Sequence, residues 1–439
     1  MEMFGNLLNP ALLIYALPMI VIWLGYGVYQ RLLHKRALAG KHHALKSGLT
    51  EPASLHPVIN PNLCLGCGVC TRACPEGDVL GLIHGKAELI KPTNCIGHGA
   101  CKTACPFDAI TLVFGTEQRG VDIPVLKPNF ETNVPGIFIA GELGGMGLIR
   151  NALRQGMEAA GAIKKNSPKE HGTALDLLIV GAGPAGIAAS LSARANNLNF
   201  VTIDQDTFGG TVAQFPRNKI VMTAPIDLPL VGKVKIKETT KEALMEFWQK
   251  IIADTQLDIH FGERLDDLSP EQGGFKVISS KNEYLTRNVL LCLGRRGTPR
   301  KLGVDGEESS KVVYRLIDAA QYRNQHVLIV GGGDSALEAA ISVADETGTQ
   351  VTLAYRGDSF SRAKPKNRDR LASAEKNQGL TVMLSSEVNS ILERSVEIRH
   401  EGSIHPLKND AIIVCAGGIL PTPFLKKLGI SIETKHGTA

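Results

Sequence analysis

The chain contains one long apolar run and several short ones. Residues 3–30 carry no charged side chain, and the 20 residues from Pro10 to Tyr29 are almost entirely apolar. A helix of that length is about 30 Å long, which is the thickness of the hydrocarbon core of a bilayer. Trp23 and Tyr26 lie near its C-terminal end, where aromatic rings favour the membrane interface. The pattern predicts a transmembrane helix over residues 10–30.

The charges that follow this run predict its orientation. Residues 31–50 hold no acidic side chain and five basic ones, namely Arg31, Lys35, Arg36, Lys41 and Lys46. A cleaved signal peptide is the alternative, but its positive charge would precede the apolar stretch and a small-residue cleavage site would follow it. By the positive-inside rule, residues from 31 onward lie in the cytoplasm. We therefore predict a single-pass protein of the inner (cytoplasmic) membrane whose catalytic part is cytoplasmic.

A short apolar run at 176–190, DLLIVGAGPAGIAAS, reads as a strand, a glycine loop and a helix. Gly181, Gly183 and Gly186 allow the tight turn, the close approach to a pyrophosphate and close helix packing. Asp204 follows 23 residues after Gly181, where an acid accepts hydrogen bonds from ribose hydroxyls. The spacing predicts a dinucleotide site.

A second such run, HVLIVGGGDSALEAA at 326–340, predicts a second dinucleotide site. Its candidate binding residues are those of the glycine loop and helix start, Gly331, Gly333, Asp334 and Ser335. The next strand ends in Arg356 rather than an acid, and Arg362 follows. Arginine there accommodates a 2′-phosphate, so NADPH is preferred over NADH. The alternative is a basic solvated loop, because further cations lie nearby, namely Lys364, Lys366, Arg368 and Arg370.

Composition narrows the function classes. With 439 residues, 44% hydrophobic and 21% charged, the chain can bury a large core in about three folding units, and global disorder is excluded. The net charge of +5 resides in residues 31–50, which leaves 43 basic and 43 acidic residues elsewhere. A nucleic-acid-binding face would need a basic surplus outside that segment, so we predict no nucleic-acid partner.

Seven of the nine cysteines fall between Cys64 and Cys105. The first block, CLGCGVCTRACP, has C-x2-C-x2-C-x3-C spacing followed by proline, and the second, CIGHGACKTACP, repeats the spacing with His98 in place of one cysteine. Zinc is the main rival reading of closely spaced thiolates, but two interlocked runs with proline after each fourth cysteine disfavour it.

These blocks resemble the bacterial two-cluster ferredoxin over residues 57–113. In that family the fourth cysteine of each run ligates the other cluster. The resemblance implies two [4Fe–4S] clusters: one held by Cys64, Cys67, Cys70 and Cys105, the other by Cys74, Cys95 and Cys101. His98 is then the fourth ligand of the second cluster, a bystander beside a [3Fe–4S] cluster, or a residue that leaves one iron open to solvent. The equal length of the two blocks favours ligation.

The two glycine loops together resemble the thioredoxin reductase-like flavoproteins over residues 118–439. The stretch FGGTVAQ (Phe208–Gln214) matches their flavin-contacting turn, which implies that Gly209 and Gly210 contact FAD. Leu290–Gly294 and Ile412–Gly417 match the two strands that cross between the domains of that family. The resemblance implies bound FAD and NADPH (or NADH).

The chain departs from that family in three ways. It stops where the family continues into a strand and a flavin-facing helix, but Thr132–Ile163 supplies that piece upstream, so the flavoprotein part looks circularly permuted. The resemblance then implies that Gly141 and Glu142 bind the diphosphate and ribityl region and that Asn151 faces the ring.

The second departure is that residues 312–325 lack the Cys-x-x-Cys pair of the disulfide-reducing members. Cys292 and Cys415 sit alone in apolar strands and read as buried core thiols. Iron–sulfur clusters are the natural replacement for the missing dithiol. The third departure is Arg217–Trp248, which matches no family segment and would either shape a partner surface or pack on the flavin.

We therefore predict an α/β fold: two Rossmann-like dinucleotide-binding domains, a small α+β ferredoxin domain and one N-terminal transmembrane helix. The expected boundaries are a transmembrane helix (10–30), a basic juxtamembrane linker (31–55), a ferredoxin domain (56–114), a permuted FAD-domain segment (115–166), an FAD-binding domain (174–297), an NAD(P)H-binding domain (298–407) and an FAD-domain return segment (408–439).

The expected function is a membrane-anchored NAD(P)H-dependent oxidoreductase that passes electrons between NADPH, FAD and the clusters, to or from an external one-electron carrier. No protein acid or base is required, so no catalytic residue is assigned. The alternatives are an NAD(P)H:quinone reductase and a non-catalytic redox-sensing or electron-wiring subunit. The expected partners are the membrane and a redox protein or quinone, and a homodimer is a candidate assembly.

Overall fold

The computed structural model describes residues 10–52, 55–117, 119–145, 147–166, 174–215, 217, 219–295, 297–377 and 379–437. It divides the chain between Val113 and Phe114 into two compact units. The elements of the first unit are α1 (Pro10–Lys46), β1 (His56–Ile59), α2 (Val69–Ala73), β2 (Leu80–Ile83), β3 (Lys86–Leu89), α3 (Ala100–Thr103) and β4 (Ile110–Val113).

Helix α1 is longer than the apolar run that begins it. Among the described residues, one helix is long and apolar enough to cross a membrane by length and composition, over Ile14–Lys46, and none of its apolar window is buried. The sequence predicts a linker from residue 31, whereas the structure continues the helix to Lys46. The reason is tertiary packing: Ala37 lies in one buried cluster with Ile83 and Ile90.

The rest of the first unit is built from two antiparallel strand pairs and two short helices. Strand β1 pairs with β4, and β2 pairs with β3. Gly68 and Gly99 precede α2 and α3, both in the left-handed conformation that glycine adopts without a steric penalty. They occupy equivalent places in the two cysteine blocks, so the two halves of the unit repeat the same turn into a helix.

The first part of the second unit carries a five-stranded sheet of order β13-β8-β7-β17-β6, in which every pair is parallel. Its elements are β5 (Val121–Pro124), β6 (Ile137–Ile139), α4 (Ile149–Asn166), β7 (Leu177–Val180), α5 (Pro184–Ala195), β8 (Phe200–Asp204), β9 (Ile220–Met222), β10 (Ile226–Leu228), β11 (Gly232–Val234), β12 (Glu238–Thr240), α6 (Lys241–Asp254), β13 (Ile259–Phe261), β14 (Leu265–Glu271), β15 (Gly274–Ser279), β16 (Glu283–Thr286), β17 (Val289–Leu291) and β18 (Thr298–Pro299).

The second part carries another parallel sheet, of order β19-β26-β20-β21-β22. Its elements are β19 (Val312–Val313), β20 (His326–Val330), α7 (Asp334–Ala344), β21 (Gln350–Ala354), α8 (Pro365–Asn377), β22 (Leu380–Met383), β23 (Ser386–Ile391), β24 (Ser395–His400), β25 (Ser403–Lys408), β26 (Ala411–Val414), β27 (Gly418–Ile419), α9 (Thr422–Lys427) and β28 (Ile432–Lys435).

One predicted boundary differs from this topology. The sequence assigns residues 408–439 to the return segment of the first domain, but β26 pairs with β20 in the second sheet. Its four residues are all buried, which is the pattern of a central parallel strand. The return to the first part therefore follows β26, where β27 pairs with β18.

Residues ahead of the first glycine loop belong to the first sheet. Strand β6 pairs with β17, and α4 packs against α5 so closely that a Cβ on Gly156 would lie 2.0 Å from the carbonyl oxygen of Ala185. At the other end of the chain, β28 pairs with β5, and the backbone N–H of Val125 donates to the carbonyl of Ser431. The chain end is thus hydrogen-bonded beside the strand that leads to β6.

Candidate functional site

Two small cavities lie among the described residues of the first unit, each of about 10 Å³. The first is lined by four cysteines, Cys64, Cys67, Cys70 and Cys105, and the second by Cys74, Cys95, Cys101 and His98. These are the two sets that the ferredoxin resemblance implies. In each set the last ligand of one block faces the ligands of the other, because α2 and α3 pack side by side.

The thiols that line the first cavity are close enough to affect the ionisation of Cys70. Among the described residues, no three histidine, cysteine, aspartate or glutamate side chains converge closely enough to hold one metal ion. Burial raises the pKa of the Cys70 thiol to about 11, with further contributions from the neighbouring thiols Cys64 and Cys67. A positively charged iron core would remove that penalty.

His98 lines the second cavity at the place that the spacing predicts. Its Nε2 lies 3.9 Å from Sγ of Cys74, and its Nδ1 accepts a hydrogen bond from the backbone N–H of Ala100 at 3.3 Å. Burial lowers the pKa of this imidazole, an effect that the charge of Glu76 opposes. The geometry brings His98 to the cavity wall, and its role as a ligand stays a prediction.

The first glycine loop lies at the carboxyl end of the first parallel sheet. Gly181 has φ +110°, and a Cβ there would lie 2.5 Å from the carbonyl oxygen of Cys292. A Cβ on Gly186 would lie 1.7 Å from the carbonyl oxygen of Gly181, so the loop and α5 tolerate only glycine at both positions. Gly183 directly precedes α5, whose N-terminus favours a phosphate.

The FGG turn (Phe208–Gly210) packs on this loop, and the two together form the glycine cradle. The backbone N–H of Gly209 donates to the carbonyl of Ala182 at 2.8 Å, and a Cβ on Gly210 would lie 3.0 Å from Cα of Gly183. Asp204 closes the cradle from the end of β8: its carboxylate accepts the backbone N–H groups of Ala182 and Asp206. A carboxylate has about four lone-pair sites, so it can brace the loop and still accept a ribose hydroxyl.

The segment after β6 joins the same edge. Gly141, at φ +86°, would place a Cβ 2.9 Å from Cβ of Ala185 at the start of α5, and its N–H donates to Gln155 at 2.9 Å. Asn151 lies in the first turn of α4, partly buried. Gly141 therefore reaches the helix that begins at the glycine loop, and Asn151 lies on the helix that packs against it.

Glu142 follows and pairs with an arginine that the sequence analysis missed. Burial raises the pKa of the Glu142 carboxyl, and this is opposed by the backbone N–H and the guanidinium of Arg295. Arg295 follows Gly294 at the carboxyl end of β17, and its Nη2 donates to the carbonyl of Asp122 at 3.2 Å. The LGRR sequence directly after an apolar strand was the signal that could have identified it.

The unmatched segment 217–248 contributes to this domain from the outside. Trp248 of α6 is 1% exposed in a cluster with Ile187 and Leu191 of α5. Met245 lies against Gly209, where an added Cβ would be 2.6 Å from its sulfur. Helix α6 thus packs on the glycine cradle, whereas the β10–β11 hairpin exposes Leu230 and Val231 to solvent.

The second glycine loop leaves more space around one of its glycines than the first loop does. Gly331 has φ +147°, and a Cβ there would lie 2.4 Å from the carbonyl oxygen of Cys415, whereas a Cβ on Gly333 would meet nothing within 4 Å. Ser335 lies in the first turn of α7, and Asp334 precedes it. Asp334 Oδ1 accepts the N–H of Lys364 and Nδ2 of Asn367, both at 2.8 Å, so this predicted binding residue ties α8 to the loop.

The basic residues near this loop are exposed, except Arg368, which is partly buried. Arg356 and Arg362, the two predicted to meet a 2′-phosphate, are exposed. Arg368, which the sequence marks only as one of several nearby cations, has a buried Nη1 that finds no hydrogen-bond partner among the described residues. Burial lowers the pKa of its guanidinium, which the charges of Asp369 and Asp334 oppose. An orphaned cationic donor at the glycine loop fits an anionic ligand.

The two lone cysteines belong to the second unit. Cys292 is buried as predicted, and burial raises the pKa of its thiol far above the usual range. Cys415 is only partly buried, which differs from the prediction, because it ends its strand at the mouth of the second glycine loop.

Comparison with known families assigns the larger unit. A family model described as pyridine nucleotide-disulphide oxidoreductase matches residues 178–438, more than half of the chain. The chain belongs to the pyridine nucleotide-disulphide oxidoreductase family. A second model, described as a 4Fe-4S dicluster domain, matches residues 56–106, which include all seven clustered cysteines. This oxidoreductase therefore carries a ferredoxin-type domain ahead of its nucleotide-binding part.

Curated relatives agree with that assignment. The ferredoxin–NADP reductase of Thermus thermophilus is 30% identical over 272 residues, which span 59% of this chain and 77% of the relative. That of Picrophilus torridus is 29% identical over 271 residues, with the same two shares. As a member of this family, the oxidoreductase is an FAD-dependent NAD(P)H enzyme with a 4Fe-4S ferredoxin domain.

Solved structures show the same fold. The bacillithiol disulfide reductase Bdr of Staphylococcus aureus matches with a TM-score of 0.52 at 22% identity, covering 58% of this chain and 80% of that one. Its counterpart from Bacillus cereus matches with a TM-score of 0.53 at 21% identity, covering 58% and 81%. At these identities the likeness concerns the α/β fold with its parallel sheets.

Proposed function

We propose that this oxidoreductase is anchored in the membrane and passes electrons between NADPH, FAD and two [4Fe–4S] clusters, to or from an external carrier. The observation that carries the proposal is the sorting of seven cysteines and His98 into two separate cavities, in a chain that also holds both dinucleotide loops. Residues 312–325 contain no cysteine, so a dithiol cannot take electrons from the flavin there.

The cradle at the carboxyl end of the first sheet would hold FAD. Gly181, Gly183 and the α5 N-terminus would face the pyrophosphate, since backbone there approaches without side chains. Asp204 would accept a ribose hydroxyl, and Gly209 and Gly210 would border the flavin side of the loop. When bound, FAD accepts a hydride and releases single electrons.

The permuted order of the flavoprotein part is supported by the pairing of β28 with β5. Strand β28 is hydrogen-bonded to β5, which leads to β6, Gly141 and Glu142. In an unpermuted arrangement the chain would run directly from β28 towards β5. Neighbouring ends make such a rearrangement tolerable. Glu142 and Asn151 would then face the ribityl chain and the ring.

The second glycine loop would hold NADPH. Gly331 and Gly333 would admit the pyrophosphate, and Ser335 would add a hydroxyl donor at the start of α7. Arg356 and Arg362 are placed after β21 and before α8, where exposed guanidinium groups can reach a 2′-phosphate. Asp334 would act by holding the segment that carries Lys364 against the loop.

The apolar part of α1 supports the membrane anchor. Between Ile14 and Tyr29 the large apolar side chains are mostly more than half exposed, for example Trp23 at 72%, so the helix needs an apolar surrounding. The basic residues from Arg31 onward favour a cytoplasmic location for both units, with the protein in the inner membrane.

The test uses the full chain, extracted in detergent and loaded with flavin and iron under anaerobic conditions. NADPH should bleach the flavin and then the clusters, and should support the reduction of viologen, ferredoxin or quinone. Cys70→Ser should keep the flavin and lose iron and acceptor reduction, whereas Cys415→Ala, a change outside both cavities, should keep its iron. Acceptor reduction at the wild-type rate in Cys70→Ser protein would contradict the proposal.

A further inference from the structure

The second half of α1 runs alongside the β2–β3 hairpin in a defined order. The imidazole of His34 lies 4.8 Å from that of His84 at the hairpin turn, and the N–H of His84 donates to Nδ1 of His34. Further along the helix, Ala37 lies against Gly81, where an added Cβ would be 2.7 Å away. Lys41 then pairs with Glu88 near the open end of the hairpin.

This order fixes which end of the hairpin is nearer the end of the apolar run. His34 lies five residues after Tyr29, about 8 Å along the helix axis, and Lys41 lies about 10 Å further. The hairpin turn is therefore the part of the hairpin that lies closer to Tyr29, where the apolar run ends. The open end, where β2 begins and β3 finishes, lies farther from it.

The two cluster cavities sit at opposite ends of the same hairpin. The loop of the first cavity rests on the turn: a Cβ on Gly66 would lie 1.9 Å from the carbonyl oxygen of Gly85, and Lys86 Nζ donates to the carbonyl of Cys64 at 2.6 Å. The second cavity is lined by Val79 and Leu80 at the open end. The first cavity is thus the one nearer the apolar end of α1.

The first cavity also opens through an apolar rim. Leu65 and Phe107 line it and are 67% and 41% exposed, and Leu63 beside them is 49% exposed. Cys67 in the same loop is exposed as well. Among the residues that line the second cavity, none is an exposed large apolar side chain. Exposed apolar surface around a redox centre indicates a binding surface, because its burial against an apolar partner is favourable.

We propose that the first cavity is the point at which electrons leave the protein, and that the acceptor is a membrane-held quinone bound against the rim of Leu65 and Phe107. This inference rests on the proposed function. A soluble protein carrier is selected largely by charge complementarity, whereas this rim is apolar and belongs to the cavity nearer the apolar run of α1. A quinone diffuses in the hydrocarbon layer, so it meets the rim where α1 leaves that layer.

The reaction balances without another reagent. NADPH gives up a hydride, which is two electrons and one proton, as its C4–H bond breaks and NADP⁺ forms. The electrons reach the quinone one at a time, and its two carbonyl oxygens take up two protons, one equivalent to that of the hydride and one from water. The sum is NADPH + H⁺ + quinone giving NADP⁺ + quinol.

The test compares two acceptors with the loaded full chain in phosphatidylcholine vesicles that contain ubiquinone-10. Quinol formation is divided by the reduction of water-soluble ferricyanide by the same sample, so that losses upstream of the exit cancel. Leu65→Gln should lower this ratio at least tenfold, and Leu65→Met, which stays apolar, should keep it. Leu392→Gln, which changes a 50% exposed leucine of the second unit, should leave the ratio unchanged.

A second readout needs no turnover. Tryptophan fluorescence added by Leu65→Trp should be quenched by lipids brominated near the headgroup, and that added by Asp78→Trp, at the open end of the same hairpin, should not. A Leu65→Gln ratio equal to wild type, or no difference in quenching between the two tryptophan variants, overturns the quinone site. If NADPH bleaches flavin and clusters but no quinol forms, only the quinone site fails. If NADPH does not bleach them, the proposed function fails as well.

Discussion

Arg368 gives a prediction in which stability and nucleotide binding change in opposite directions. Its Nη1 is buried without a partner among the described residues, and a buried unsatisfied donor costs about 1–3 kcal/mol. Arg368→Met keeps the length and the apolar stem of the side chain and removes the donor. The free energy of unfolding of the NADPH-free protein should therefore rise by about 1–3 kcal/mol. That is about 2–4 °C in melting temperature for each kcal/mol in a unit of 150–250 residues, and less in a larger one.

The same change should weaken the binding of NADPH. A charge-assisted hydrogen bond to a phosphate is worth about 1.5–3 kcal/mol, so the dissociation constant should rise roughly 10- to 150-fold. Unfolding by urea measures the first effect, and titration of the flavin-loaded protein with NADP⁺ by calorimetry measures the second. Arg370→Met is the matched control, because Arg370 lies on the same helix and is exposed. Its unfolding free energy should stay within about 0.5 kcal/mol of wild type.

Two results would refute the reasoning about Arg368. If Arg368→Met lowers the free energy of unfolding, then the guanidinium stabilises the empty protein and its Nη1 is not an orphan. If Arg370→Met weakens NADP⁺ binding as much as Arg368→Met does, the effect is the summed charge of α8 and not a contact of one buried donor.

Four further predictions follow from the site. Arg356→Ala should raise KM for NADPH roughly 10- to 150-fold but leave KM for NADH nearly unchanged, since only NADPH carries the 2′-phosphate, and steady-state kinetics with both nucleotides decide this. Removal of residues 1–30 should yield a protein that stays in solution after ultracentrifugation with its flavin and iron. Burial raises the pKa of Glu142 in the folded state, so ionisation of this carboxyl opposes folding. The stability of Glu142→Gln relative to wild type should therefore increase as pH rises above about 4.3. Denaturation of the flavin-free protein at pH 5 and pH 8 measures this difference. His98→Cys should lower the reduction potential of the second cluster, measured by EPR-monitored titration, because an anionic thiolate replaces a neutral group.

Local spacing was enough to locate the cluster cavities and the glycine loops. Three of the four ligand candidates of each cavity lie within one stretch of seven residues. Gly181, Gly186 and Gly331 meet backbone atoms that leave no room for a Cβ. Both features follow a recognisable spacing, even where the atom that a glycine contacts, as in Cys292, is distant along the chain. A sequence pattern carries such information directly.

Contacts between distant segments were not predictable in the same way. The continuation of α1 to Lys46 depends on packing against a hairpin about 40 residues later, and basic residues alone read as a linker. Asp334 looked like a ligand-binding acid because it follows the glycine loop, yet its carboxylate holds Asn367 of α8. Arg368 looked like background charge, since burial of one guanidinium nitrogen is a tertiary property.

The cysteine spacing predicts that His98 lies at the second cavity, but it does not predict the tautomer of the imidazole. The backbone N–H of Ala100 can only donate, so Nδ1 accepts, and a neutral ring with an accepting Nδ1 carries its hydrogen on Nε2. That nitrogen faces Cys74, 3.9 Å away, as a donor towards sulfur. Ligation of iron through Nε2 requires the other tautomer, with the hydrogen on Nδ1, and therefore the loss of the Ala100 hydrogen bond. ¹⁵N-labelled histidine distinguishes the two arrangements, because a directly bound nitrogen shows strong hyperfine coupling in the cluster's EPR spectrum and a hydrogen-bonded one shows weak coupling. The spacing places the imidazole at the cavity, and a single backbone N–H two residues away favours the tautomer that carries its hydrogen on Nε2.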